Sequence, residues 1–156
     1  MADVEELRTT IHYLHRSSLE LGDRLGCILF QLPPNFRADA DRLARFLELL
    51  PDGWPAAIEF RHESWNTAVI HEHLSQRGVA WVVDDEREDT PPTPPETARF
   101  AYVRLRKEAY DDASLGHWTE TLRSKTWTHA YVMFKHEPTA WSLAEALQII
   151  ANRNDP

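Results

Sequence analysis

The sequence predicts an α/β fold made of parallel β/α repeats, with about five strands in a single domain over residues 1–156. Two patterns alternate along the chain: apolar runs of five or six residues, and longer segments whose apolar residues recur three and four positions apart. The first pattern is typical of buried strands and the second of amphipathic helices. Strands that alternate with helices are expected to be parallel, because a parallel pair needs a crossover connection.

The first three elements each have a recognisable end. A helix is predicted over residues 3–21, where one apolar stripe continues until Gly22. A buried strand over 27–32 follows and stops at consecutive prolines, which cannot continue a hydrogen-bonded ladder. The next helix, over 38–50, has apolar residues at positions i, i+3, i+4 and i+7.

The same alternation continues along the rest of the chain. In order, the remaining elements are a strand over 56–60, a helix over 66–77, strands over 79–83 and 100–105, a helix over 115–123, a strand over 129–134 and a helix over 143–150. Ser64 is the expected N-cap of the helix over 66–77, since its hydroxyl can accept from a backbone N–H. The segment 84–98 is rich in proline and acidic residues, which predicts an extended, exposed loop within the domain.

Composition places the chain among ordinary globular proteins and disfavours several partners. Its 156 residues, of which 42% are hydrophobic, are enough for one core. The net charge of −8 makes nucleic acid an unlikely partner through bulk charge. The single cysteine, Cys27, excludes an internal disulfide and suits a reducing compartment. No apolar run could span a membrane and no signal peptide is recognisable, so the cytoplasm is the expected location.

Polar or charged side chains lie at or just beyond the carboxyl end of every predicted strand. These residues are Gln31, then Glu59 with Arg61 and His62, then Asp84 with Asp85, then Arg104 with Arg106, and finally Lys135 with His136. Parallel α/β folds bind ligands at the carboxyl ends of their strands. Five such endings together therefore indicate a ligand site at one edge of the sheet.

Alternation along the strand over 100–105 separates its side chains into two sets. Tyr102, Arg104 and Arg106 share one face, and Val103 with Leu105 share the other. Helices cover the outside of such a sheet, so the apolar set is expected to face them. The polar set then points away from the helices, where a charge is costly unless it is paired or hydrogen-bonded.

Two interpretations of these charges remain open. In the structural one, Glu59 pairs with Arg61 or Arg104, and no chemistry follows. In the functional one, the arginines hold an anionic group, because guanidinium matches carboxylate and phosphate in a bidentate manner. Asp85, at the start of the loop, is expected to be a solvated charge.

The functional interpretation assigns a role to each polar strand end. Glu59, Asp84 and His136 are the acid/base candidates. The ligand-binding candidates are Gln31, Arg61, His62, Tyr102, Arg104, Arg106 and Lys135. No spacing requires a metal, although the three acid/base candidates are the residues that would hold one, and no motif identifies a cofactor. The alternative is a non-enzymatic module that recognises a phosphorylated metabolite or nucleic acid through the same arginines.

Four stretches of the chain carry a resemblance to a known family. They are Leu25–Pro34, Ile58–Trp65, Tyr102–Lys107 together with Tyr110, and Ala130–Glu137. These stretches resemble the YecE-like family, a domain of unknown function with a TIM-barrel fold, over nearly the whole chain. The resemblance implies a fold and a site at the carboxyl ends of the strands, but it implies no reaction.

The chain departs from that family in two places. It resembles only the C-terminal portion of the barrel, since nothing matches the Gly-Trp and Glu motifs of the first strands. Many relatives have an Asn pair where this chain has Lys135 and His136. A barrel without its first strands has open edges, which recruit partners. The sequence leaves open self-association or pairing with an N-terminal barrel piece, an independent open sheet, and an inactive fragment.

Overall fold

A computed structural model describes residues 4–86, 92–135, 144, 145 and 147. The chain divides into two compact units, Met1–Val79 and Ala80–Pro156, here named the N-terminal unit and the C-terminal unit. The predicted α/β class is confirmed: within the described residues, five strands and four α-helices form parallel β/α repeats, as in part of a TIM barrel. The grouping of residues 1–156 as a single domain stays a prediction.

The N-terminal unit contains two β/α repeats preceded by a helix. Its elements are α1 (Val4–Leu19), β1 (Ile28–Gln31), α2 (Ala40–Leu49), β2 (Ala56–Glu59) and α3 (Ala68–Arg77), with short 3-10 helices at Gly22–Arg24 and Glu63–Trp65. The two strands are parallel, and their register puts Gln31 beside Glu59 at the carboxyl end. The last residues of both strands therefore lie at the same edge.

Capping residues set where α2 begins and where α3 begins and ends. The Asp39 carboxylate accepts from the Arg42 backbone N–H at 2.9 Å and begins α2. Thr67, rather than the expected Ser64, caps α3, because Ser64 lies inside the 3-10 turn that precedes that helix. Gly78 ends α3 in the left-handed conformation, with φ of 62°, which favours a residue without a Cβ atom.

The described residues of the C-terminal unit form three neighbouring strands, in parallel pairs. Its elements are β3 (Ala80–Asp84), β4 (Phe100–Leu105), α4 (Asp112–Arg123) and β5 (His129–Phe134). Asp84 is the register partner of Arg104, and the Lys135 backbone N–H donates to the Leu105 carbonyl at 3.0 Å. The carboxyl ends of these strands therefore lie side by side.

The apolar face of β4 is covered by helix, as its alternation predicts. Val103 and Leu105 are completely buried and pack in one cluster with Trp118 of α4. Val132 and Phe134 of β5 join the same cluster. Tyr102 and Arg104 belong to the opposite face, because side chains alternate along a strand.

Two further predictions in the C-terminal unit concern the loop over 84–98 and the helix over 143–150. In the described part of the 84–98 loop, Pro94 and Thr97 are buried, and the Thr97 hydroxyl accepts from the Trp81 backbone N–H at 2.9 Å. That part of the loop is therefore attached to β3 at Thr97, whereas Thr93 and Glu96 are exposed as expected. Most of the predicted helix over 143–150 lies outside the described residues. Within the described ranges, no helix is long and apolar enough to cross a membrane.

Candidate functional site

In the N-terminal unit, a buried carboxylate pairs with an arginine just beyond β2. Glu59 is only 1% exposed, and Arg61 Nε donates to its Oε1 at 2.9 Å. The pairing follows from strand alternation, which puts residues two apart on the same face. Arg61 and Arg104 were the partners expected for Glu59, and the contact with Arg61 is the one described above.

Two more predicted residues lie at the same edge of this unit. Gln31 is exposed and is the register partner of Glu59. The His62 Nδ1 atom accepts from the Ser64 backbone N–H at 3.1 Å, which caps the 3-10 turn. His62 therefore has a structural task, and that contact places its ring proton on Nε2.

An aromatic contact fixes the segments after β1 and β2 to one another. Trp65 is buried, and its Nε1–H donates to the Phe36 carbonyl at 2.7 Å. The ring stacks with Phe36 and packs against Phe60. The Trp65 indole therefore holds together the segment that follows Gln31 and the segment that follows Glu59.

In the C-terminal unit, Asp84 and Arg104 are neighbours at the ends of β3 and β4. The Asp84 carboxylate accepts from the Glu86 backbone N–H at 3.2 Å, so it also orders the turn that follows the strand. Tyr102 lies on the same face of β4 as Arg104, and its ring packs against Tyr131 at 6.0 Å. Arg104 therefore has Asp84 as its neighbour on the adjacent strand β3 and Tyr102 as its neighbour on the same face of β4.

Asp85 was expected to be solvated, and that expectation is wrong. It is completely buried, and its two carboxylate oxygens accept from the Arg106 backbone N–H at 2.7 Å and from the Tyr110 hydroxyl at 2.6 Å. The Tyr110 oxygen in turn accepts from the Lys107 backbone N–H at 3.0 Å. Asp85 therefore attaches the turn after β4 to the end of β3.

The environment of Tyr110 keeps its hydroxyl protonated. Burial, followed by the hydrogen bond to Asp85, raises the pKa of the phenol well above its ordinary value. Because a protonated phenol can donate, the Asp85 carboxylate keeps a hydrogen bond over the whole neutral range. The pair fixes the backbone from which the Arg106 side chain extends.

Two predicted cationic residues converge on one carboxylate, that of Glu86. Lys135 Nζ lies 2.9 Å from Glu86 Oε1, and Arg106 Nη1 lies 3.6 Å from Oε2. The Arg106 side chain is 10% exposed, whereas those of Lys135 and Glu86 are 49% and 41% exposed. We name Glu86, Arg106 and Lys135 the cation–carboxylate cluster.

Sequence reasoning did not single out Glu86 or recognise the task of Asp85. The available signal was the run of three acidic residues over 84–86 at the end of β3, together with one basic residue directly after β4 and one directly after β5. Tyr110 was among the residues that resemble the YecE-like family, but no pattern in the sequence indicated its role. The carboxyl ends of parallel strands meet, so acids after one strand are natural partners for cations after the next.

The predicted site residues thus fall into two groups, each described within its own unit. Gln31, Glu59, Arg61 and His62 are in the N-terminal unit, and Asp84, Tyr102, Arg104, Arg106 and Lys135 are in the C-terminal unit. The remaining acid/base candidate, His136, lies outside the described residues. Among the residues that the structure does describe, no group of three or more His, Cys, Asp or Glu side chains is placed to hold a metal ion.

Cys27 is not an activated nucleophile. Burial raises the pKa of its thiol to about 12, so the thiolate is scarce at neutral pH. Its Sγ atom lies against its neighbour's carbonyl, the Ile28 oxygen, at 3.6 Å. Of the groups described in the N-terminal unit, the Glu59–Arg61 pair is therefore the stronger candidate for chemistry.

An apolar groove of about 530 Å³ lies in the N-terminal unit, beside β1. Leu29 and Phe30 of that strand line it, together with Phe46 and Leu49 of α2. Strand β1 pairs on one side with β2, and within the described part of this unit no strand lies on its other side. The groove therefore adjoins an open strand edge.

The repeats, the parallel register and the polar strand ends together define a β/α domain with a candidate ligand site. The chain belongs to the family described as "Protein of unknown function DUF72", whose model matches residues 2–155. This confirms the predicted membership of a family of unknown function. No curated protein matches the sequence.

Solved structures of two DUF72 proteins are similar to this chain. The protein from Enterococcus faecalis V583 has a TM-score of 0.74 at 17% identity, over 99% of this chain and 68% of that one. The protein from Thermotoga maritima MSB8 has a TM-score of 0.67 at 24% identity, over 97% of this chain and 65% of that one. At these identities the likeness shows the fold, and the chain spans about two thirds of the length of either protein.

Proposed function

We propose that the C-terminal unit binds a small anionic ligand at the carboxyl ends of β3, β4 and β5. The observation that carries the proposal is the convergence of Arg106 and Lys135 on one carboxylate. The carboxyl ends of parallel strands are where α/β domains place their ligands. Within the family, we propose that the chain is of the YecE-like kind and corresponds to the C-terminal portion of the barrel.

The chemistry of the cluster suits a carboxylate or a phosphate. Arginine offers a planar fork of donors and lysine a mobile ammonium, and both form their strongest hydrogen bonds with anionic oxygens. The Arg106 backbone N–H is held by the buried Asp85, so the guanidinium starts from a fixed position. The proposed ligand contacts in this unit are Tyr102, Arg104, Arg106 and Lys135.

Asp84 is the proposed acid/base group of the C-terminal unit. It ends β3 beside Arg104, and the backbone N–H of Glu86 already holds one of its oxygens. A carboxylate fixed beside a site for an anionic compound can accept or donate a proton. His136, which lies outside the described residues, is the further acid/base candidate of this unit.

Glu59 is the proposed acid/base group of the N-terminal unit. It is buried against Arg61, and Gln31 and His62 lie at the same strand ends. These three neighbours are the proposed ligand contacts of that unit. The buried Glu59–Arg61 pair fits the structural interpretation equally well, so substitutions at these positions have to be tested for binding as well as for stability.

A thermal melt of the chain with inorganic phosphate, pyrophosphate and oxalate tests the anion proposal. A probe at a hundredfold its Kd should stabilise the chain by about 2.7 kcal/mol, visible as a higher Tm. Lys135→Gln should remove the shift, whereas Lys125→Gln, which removes the same charge from a lysine paired with Glu96, should keep it. The proposal is wrong if no probe shifts the Tm, or if both variants behave alike.

The non-enzymatic alternative makes different predictions for the same compounds. A compound that raises the Tm and is then converted by the chain indicates an enzyme, and one that is only bound indicates a binding module. A nucleic-acid partner would bind through several phosphates, so its affinity would fall steeply between 50 mM and 200 mM salt. A small anion held by two cations would show a much shallower dependence on salt.

We further propose that the N-terminal unit associates with a second copy of the chain through the groove beside β1. The α2 side of the groove carries Arg42 and Arg45, and the first turn of α1, next to the lining residue Val4, carries Glu5 and Glu6. In a two-fold interface the same patch meets itself, so the acidic turn of one copy can face the arginines of the other. The strand edge of β1 that faces away from β2 would be covered in the same step.

Sedimentation of two matched variants tests this association. Val4 and Val69 are both exposed, at 56% and 52%, but only Val4 lines the groove. Val4→Lys would put a positive charge opposite the partner's arginines and should shift the chain toward the monomer, whereas Val69→Lys should not. A wild-type chain that sediments as a monomer at every concentration contradicts the proposal.

A further inference from the structure

The cations of the proposed anion site already hold a carboxylate that belongs to the chain itself. Each oxygen of Glu86 faces a different cation, with Oε1 toward Lys135 at 2.9 Å and Oε2 toward Arg106 at 3.6 Å. A carboxylate or phosphate ligand would use the same two donors through two of its own oxygens. Ligand and Glu86 cannot occupy that position together.

The backbone around the cluster is fixed, whereas the Glu86 side chain is accessible to water. The Glu86 N–H is held by Asp84, and the Arg106 N–H is held by the buried Asp85. The Glu86 and Lys135 side chains are close to half exposed. An ion pair so exposed contributes little to stability, because water screens it and competes for both partners. Its carboxylate can therefore leave without unfolding the surrounding turn.

We propose that Glu86 is an internal competitor of the ligand, whose carboxylate must leave Arg106 and Lys135 before an external anionic group binds there. This inference rests on the proposed anion-binding function of the same strand ends. It assigns the three acidic residues at the end of β3 separate tasks: Asp84 borders Arg104, Asp85 fixes the turn after β4, and Glu86 occupies the two cations. The ligand is then a compound whose carboxylate or phosphate replaces that of Glu86.

Calorimetric titration of the full chain with inorganic phosphate tests the competition. Glu86→Gln removes the competing charge and should tighten phosphate binding about threefold to tenfold, since exposed pairs are individually weak. Glu108→Gln is the matched control, because Glu108 is exposed, lies two residues beyond Arg106 and loses the same charge. It should leave the phosphate affinity within about twofold of the wild type. Lys135→Gln in the Glu86→Gln background should reverse the gain.

The outcomes separate this inference from the function on which it rests. If the wild type binds phosphate, Lys135→Gln weakens the binding and Glu86→Gln does not tighten it, the competitor is overturned and the anion site stands. If neither the wild type nor Glu86→Gln binds phosphate, both are overturned. An equal gain in Glu108→Gln would assign the effect to net charge and would also overturn the competitor. A thermal melt verifies that each variant is folded, and Glu86→Ser replaces Glu86→Gln if that variant is not.

Discussion

Glu59 in the N-terminal unit and Glu86 in the C-terminal unit are both carboxylates held by an arginine beyond a strand end, but their access to water differs. Glu59 is almost completely buried and its Arg61 partner lies at 2.9 Å. The Glu86 side chain is 41% exposed and is shared between Arg106 at 3.6 Å and Lys135 at 2.9 Å. The Glu59 contact is short and buried, whereas the Glu86 contacts form a looser group in which one carboxylate lies near two cations.

This difference separates a contact that holds the fold from one that can exchange. A buried charge depends on its partner, because removing one member of the pair leaves the other without compensation in a poorly hydrated place. An exposed carboxylate regains water when it leaves its cations, so its displacement costs little. We therefore expect an incoming anion to displace Glu86 from the cation–carboxylate cluster more readily than it displaces Glu59 from Arg61.

The largest expected effect is at the buried pair. Arg61→Met should lower the free energy of unfolding by about 3 kcal/mol, because the Glu59 charge then lacks its arginine. Arg8→Met is the matched control, since Arg8 pairs with Glu5 at 3.7 Å on an exposed surface. That change should cost less than about 0.5 kcal/mol. Urea unfolding measures both, and equal losses would contradict the distinction between the two kinds of pair.

A smaller loss is expected at the contact that positions Arg106. Tyr110→Phe removes the hydroxyl that donates to the buried Asp85 and accepts from the Lys107 N–H. The free energy of unfolding should fall by about 2 kcal/mol, the usual cost of depriving a buried charged group of a hydrogen bond. Tyr13→Phe, at a ring that is 73% exposed, should change it by less than about 0.5 kcal/mol. Equal losses of stability in the two variants, measured by urea unfolding, would contradict the role of the Asp85–Tyr110 hydrogen bond in holding the turn after β4.

The same tyrosine predicts a pH dependence at the alkaline end. The pKa of Tyr110 is raised in the folded chain above its ordinary value of 10.0. The unfolded chain therefore releases this proton first, and the stability that Tyr110 contributes is present below pH 10 and is lost as the pH rises further. Wild type should lose more stability between pH 9 and pH 11 than Tyr110→Phe does. Parallel losses, measured by urea unfolding, would contradict the assignment.

Much of the fold follows from local pattern. The predicted bounds of β4 and β5 agree with the structure, because each is a short apolar run with a clear alternation. Helix α4 begins at Asp112, three residues before the predicted start at Leu115, since Asp111 caps it and the apolar spacing alone does not reveal the first turn. Ser64 and Thr67 are both suitable N-cap residues for α3. Thr67 caps the helix because Ser64 lies inside the 3-10 turn that precedes it, and the apolar spacing does not predict that turn.

The sequence predicts where the candidate site lies, but not which side chains contact one another within it. Arg106 and Lys135 were recognisable because each follows a strand end, where parallel folds bind ligands. The burial of Asp85 and the sharing of Glu86 depend on the register between β3, β4 and β5, which brings together residues far apart in sequence. No local pattern specifies that register. An acidic residue in a loop therefore resembles a solvated charge until the neighbouring strands are in place.

An NMR titration of the ¹⁵N-labelled chain with inorganic phosphate tests most directly whether the ends of β3, β4 and β5 form an anion site. We expect saturable backbone shifts at residues 84–86, 104–107 and 135, and the same residues should respond at lower phosphate concentration in Glu86→Gln. Lys135→Gln should remove the response. Shifts confined to other residues, or none up to the highest phosphate concentration, would contradict an anion site at these strand ends.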